Sequence, residues 1–173
     1  VVQVNDSTAP WLGFMNVFEL PANGGGFVFA SGWGVADLVA TFDDSNSKLT
    51  LSPNTVGDPA EFWYQGGGGP GALGNKIMEA NLYQQIDDGS LSGQTVTFSG
   101  SIISNTFTTA HETRVFIRDF APDYSSFNET SVLATTGAFS IDLLTDGGAG
   151  RHVQWGFQTR GENVWITDTA PFG

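Results

Sequence analysis

The chain has 173 residues, enough for one domain with a substantial core, and its 40% hydrophobic content, with 14 Phe and 5 Trp, excludes a disordered polypeptide. Only 6 Lys and Arg stand against 18 Asp and Glu, and a net charge of −12 repels phosphate backbones and anionic membrane surfaces, so neither nucleic acid nor membrane is expected as a partner. The absence of cysteine excludes disulfides, thiolate zinc sites and cysteine nucleophiles.

Taken in chain order, WLGFMNVFEL, GGFVFASGW, ADLVATFDD and SKLTLSP all show the apolar–polar alternation of half-buried strands. NKIMEANLYQQI is the one segment that tempts a helical reading, because Ile77, Leu82 and Ile86 share a helix face. Alternation fits it better, with Met78, Ala80, Leu82 and Ile86 inward and Glu79, Asn81, Tyr83 and Gln85 outward, and the glycine-rich lead-in supplies no capping residue. QTVTFSGSIIS then places Val96, Phe98 and Ile102 on one face, and TRVFIRDF sets Val115 and Ile117 against Arg114, Phe116 and Arg118. FSIDLLTD, HVQWGFQTR and ENVWITD complete the series. Between these segments lie NGGG, DDSNS, DDGS, APDYSS and DGGAG, whose Gly, Asn, Asp and Pro supply turns. About ten or eleven short strands at this spacing predict an all-β fold, a jelly-roll β-sandwich of two antiparallel sheets, with residues 1–173 forming a single module.

The stretch EFWYQGGGGPGALGNKIMEANLYQQ approaches a phosphate loop, since Gly69 and Gly74 have the required spacing. Asn75 displaces Lys76 by one position and Ile77 stands where a magnesium-binding hydroxyl belongs, so the motif lacks its mechanism. His111 and His152 belong to no H-E-x-x-H motif, no G-x-S-x-G elbow exists, and both histidines read as structural or surface residues. Neither the E-x-D-x-[x]-E signature of β-glucan-cleaving jelly rolls nor the Q-[IV]-H of alginate-type lyases occurs, QQIDD having Asp at the critical place. The pairs Asp43–Asp44 and Asp87–Asp88 lie in turns. No catalytic constellation is assembled, so the chain is expected not to be an enzyme; a jelly-roll hydrolase or lyase is the alternative.

What the sequence does offer is aromatic rings beside amides and carboxylates, the combination that stacks on a sugar's C–H face and bonds its hydroxyls. The candidate carbohydrate-binding residues are Trp33 in its glycine-flanked loop, Trp63 and Tyr64 before the glycine run, Glu79, Asn81, Tyr83 and Gln85 on the strand after it, and Gln154 and Trp155 near the C-terminus. Trp165 and Phe116 read as core residues. Glu19 and Asp168 are candidate ligands for a structural Ca2+ if the terminal strands pair.

The series LSGQTVTFSGSIIS, HETRVFIRDF, FSIDLLTD and HVQWGFQTRGENVWITDTAPFG resembles carbohydrate-binding modules of the family 4, 9, 16 and 22 type over roughly residues 75–173. The resemblance implies a non-catalytic jelly roll appended to a secreted polysaccharide-degrading enzyme or displayed at a cell surface. It implies a neutral polysaccharide as partner, a β-glucan such as β-1,3-glucan (laminarin) being the first candidate. It places Tyr83 and Gln85 on the groove-forming strand and Asp168 at the acid that helps bind calcium. GGGGPGALG and ASGWGVADL have no counterpart in that pattern. The chain opens at VVQVNDSTAP with no signal sequence, has no apolar run near the ~20 residues of a membrane helix, and is expected to be part of a larger, secreted modular protein. A structural or adhesion module, aromatic only in its core, is the third reading.

Overall fold

The computed structural model describes residues 6–173. Ten strands are present among them: β1 (Leu12–Glu19), β2 (Phe27–Gly32), β3 (Ala40–Asp43), β4 (Lys48–Leu51), β5 (Lys76–Ile86), β6 (Thr95–Ile102), β7 (His111–Phe120), β8 (Phe127–Leu133), β9 (Gly137–Leu144) and β10 (His152–Glu162). Short 3₁₀ turns are the sole helical elements among the described residues. Six strands form an antiparallel sheet in the order β2-β1-β5-β10-β7-β8, and β3–β4 and β6–β9 form two-stranded sheets. The fold is therefore all-β and of the β-sandwich kind rather than a closed barrel, with the strands outside the main sheet divided into two ribbons.

Two compact units are distinguished: residues 6–82, 106–113 and 158–173 form the first, and 83–105 with 114–157 the second. In the first unit, Met15 and Val17 of β1 and Met78, Ala80 and Leu82 of β5 are buried, as alternation from the sequence requires. Phe42 of β3 meets Trp11 at 5.5 Å between ring centroids. In the second unit, β6 and β9 pair in register from Thr95↔Leu144 to Ile102↔Gly137. Phe98 of β6 packs edge-on against Phe139 and Phe157, 5.2 and 5.7 Å away, fixing the ribbon to β10. Aromatic pairs of this geometry contribute about 0.5–1.5 kcal/mol beyond their buried area.

Two elements differ from the sequence expectation. ENVWITD is not a strand; it holds a single parallel bridge, Thr55↔Val164, and then turns, with the Asp168 N–H donating to Trp165 O. Its neighbouring backbone groups are satisfied by a side chain instead of a ladder: buried Asn163 accepts from the Asn75 and Lys76 N–H groups and donates to Trp63 O. A local amide can substitute for sheet pairing in this way. Conversely, FNETSVL forms β8, an edge strand paired with β7 from Phe120↔Phe127 to Arg114↔Leu133. Its sequence shows no clean alternation because an edge strand with little buried surface needs none.

Candidate functional site

The glycine run after Trp63 is held tightly by its own chain. Gly68 N–H donates to Pro59 O and Gly71 N–H to Asp168 Oδ2, at 2.8 and 2.6 Å. A Cβ on Gly68 would lie 2.6 Å from the Trp165 ring and 3.0 Å from the Tyr64 ring, and one on Gly74 would lie 2.2 Å from Asn163 O. Gly68 and Gly74 permit close packing against the protein's own interior. Lys76 is buried too, its ammonium 3.2 Å from Glu19 Oε2 and 4.5 Å from the centre of the Phe62 ring.

Tyr64 has no exposed surface; its hydroxyl donates to a main-chain carbonyl, that of Val56 or of Val164 2.9 Å away, and burial pushes its phenol above the usual value. Trp63 is also buried, edge-on to Phe29, Trp33 and Phe62. Trp155 is buried in the second unit. Trp63, Tyr64 and Trp155, expected as sugar platforms, are thus buried, Trp63 and Tyr64 among other aromatic rings.

Strand β5 also departs from the in-out expectation. From Ala80 to Gln84 every residue is buried, so Asn81 and Tyr83 do not project into solvent. In the first unit, Asn81 Oδ1 accepts from buried Gln158 at 3.1 Å, while Glu79 accepts from Asn16 at 2.9 Å and lies 3.5 Å from Arg160. Glu19 and Asp168 are likewise committed separately, Glu19 to Lys76 and Asp168 to Gly71 N–H and the Thr167 hydroxyl. Among the described residues no group of three or more His, Asp or Glu is placed to hold a metal ion.

The second unit brings three expected residues together around one that the sequence reading missed. Gln154, buried, donates to Gln85 Oε1 at 2.6 Å. Gln85 Nε2 in turn lies 3.0 Å from Asp87 Oδ2 and 3.2 Å from the hydroxyl of Tyr124. Tyr83 sits below: burial, the nearby Tyr124 and Asp87 hold its phenol above the usual value, with Arg118 opposing. Tyr124 lies in the loop between β7 and β8, closed by the Ala121 N–H to Ser126 O bond. Its ring stacks on His152, centroids 4.1 Å apart and planes at 11°, yet Tyr124 is 50% exposed. Phe120 supports it at 5.4 Å.

His152 is fixed from both ends, Nδ1 lying 2.7 Å from Asp87 Oδ1 and Nε2 3.2 Å from Pro122 O. These two contacts orient the imidazole as a pedestal for the Tyr124 ring. Tyr124 has φ 58°, in the left-handed region that a bulky residue occupies at a cost of about 1–3 kcal/mol. An exposed aromatic held in a strained backbone, on an imidazole, beside an amide and a carboxylate, can bind a flat molecule with one apolar face and hydroxyl donors at its edge. The sequence signal was weak: APDYSSF reads as a turn, and only an aromatic in place of a turn-forming residue sets it apart.

Comparison of the chain with models of known families, with curated proteins and with solved structures finds no match.

Proposed function

We propose that this chain binds a neutral polysaccharide through the Tyr124 platform, with β-glucans as the first candidates. The observation that carries the reading is the exposed Tyr124 ring, backed by His152 and flanked by Gln85 and Asp87. The ring supplies the apolar plane for sugar C–H groups, and the Asp87 carboxylate accepts from hydroxyls. A uronate or sulfated glycan would meet Asp87 and Asp123 in a chain of net charge −12, so neutral glycans are favoured. The role fits a non-catalytic module of a secreted protein, in line with the carbohydrate-binding-module resemblance, that concentrates an attached domain on the polymer.

Affinity electrophoresis through β-1,3-glucan, mixed-linkage β-glucan and xylan tests this. Retardation on at least one is expected, and free migration on all overturns the reading. Tyr124→Asn keeps a residue that tolerates the left-handed backbone and removes the ring. It is expected to weaken binding by about tenfold, ~1.4 kcal/mol, the scale of one aromatic stack, with the melting temperature close to that of the unsubstituted chain.

A further inference from the structure

In the first unit, Trp33 lines an open depression of about 560 Å³ with Asp37, Val39, Thr55, Gly57 and Ile166. The indole is fixed in place: its N–H donates to Ser31 Oγ at 3.1 Å, and its ring meets buried Trp63 edge-on at 6.4 Å. Its backbone is fixed as well, the Trp33 N–H donating to Gly13 O at 3.0 Å. Val39 has φ 52°, a conformation that is an outlier for a β-branched residue and is retained where surrounding structure imposes it, often at ligand-binding places. Ile166, 54% exposed, forms an apolar flank of the depression.

Glycine leaves part of the wall bare without being required by its backbone. A Cβ on Gly57 would touch only Ile166 Cγ2 at 3.7 Å, and one on Gly32 only Gly13 O at 3.9 Å, and neither residue has a positive φ. Among the described residues no Lys, Arg or His lines the depression, and Asp37 is the one charged group there. The lining thus combines an oriented aromatic plane, apolar flanks and an anionic acceptor, which suits a ligand bringing C–H faces and hydroxyl donors and repels an anionic one.

We propose that this depression is a second saccharide-binding site, in which a neutral sugar ring stacks on Trp33 and donates a hydroxyl to the Asp37 carboxylate. The inference rests on the reading that the chain binds neutral glycans, but it uses residues separate from the Tyr124 platform.

The test is isothermal titration with a soluble hexasaccharide of whichever β-glucan retards the chain, applied to the unsubstituted chain, to Tyr124→Asn, and to Tyr124→Asn combined with Gly57→Leu or with Asp37→Ala. Gly57→Leu fills the depression from an unstrained backbone position, and Asp37→Ala removes an exposed carboxylate, so at least one variant retains the fold. Tyr124→Asn is expected to keep binding and to show a change in tryptophan fluorescence on titration. Either added substitution is expected to weaken that remaining binding at least tenfold. Complete loss of binding in Tyr124→Asn, or residual binding that neither added substitution changes, overturns the second site and leaves the platform standing. Absence of binding by the unsubstituted chain to every glycan overturns both.

Discussion

Tyr64 and Tyr124 carry the same side chain and meet opposite fates. Tyr64 follows Trp63 beside a glycine run that looked open, yet its ring is closed in by Trp165 at 5.3 Å and its hydroxyl is used by the main chain. Tyr124 occupies a short turn and remains half in solvent. Neighbouring residue types did not separate the two, because exposure is set by which distant segments arrive, and Trp165 is a hundred residues away from Tyr64. Trp63→Ala is accordingly expected to cost about 3–5 kcal/mol in urea unfolding, the loss typical of a large buried aromatic. A variant as stable as the parent would show Trp63 to be a surface residue after all. His111 makes a second case. It is buried between Phe107 and Phe172, and desolvation lowers its pKa, with a hydrogen bond to the Glu162 backbone opposing. A histidine whose folded pKa lies below its unfolded value takes up its proton more readily when unfolded. Its contribution is thus fully present above the ordinary imidazole value of about 6.5 and is lost as pH falls below it. Urea midpoints measured across roughly pH 5 to 8 are expected to fall on the acid side, and to fall less in His111→Phe; parallel curves for the two proteins would remove His111 from the account.

At the scale of elements, alternation located β1 to β7, β9 and β10, because a strand with one buried face has to carry period-2 hydrophobicity. It failed at both extremes of burial. Strand β5 is covered on both sides over its middle, where Asn81 and Gln84 are as buried as Leu82, and β8 at the sheet edge is barely covered. A central strand whose second face carries satisfied amides looks, in sequence, the same as one whose second face meets water. The glycine run shows a related limit: glycine density marks close approach without saying to what. Gly74→Ala is expected to destabilise by about 1–3 kcal/mol or more, since its Cβ would come within 2.2 Å of Asn163 O. Gly69→Ala, where nothing lies within 4 Å, is expected to be neutral in the same unfolding experiment. Equal effects at the two positions would mean that packing is not what the glycines serve.

Across the whole molecule, 18 acids against 6 basic residues produce a self-repulsion that no local pairing cancels. Buried exceptions such as Asp119, whose carboxylate is 2.7 Å from Arg151, use up the scarce cations and leave the remaining surface acidic. The melting temperature is therefore expected to rise on going from very low salt to physiological ionic strength, where the screening length is about 8 Å; a fall would show that attractive pairs dominate instead. The sequence by itself determined the all-β class, the positions of most strands and the anionic character that favours neutral partners, since these follow from short-range periodicity and from counting charges. The tertiary structure alone decided which aromatics are buried and which stay exposed. It brought Gln85, Asp87, Tyr124 and His152 together from three places in the chain, and set Trp33 beside Gly57 and Ile166. Such juxtapositions depend on long-range packing, for which a single sequence carries no local signal.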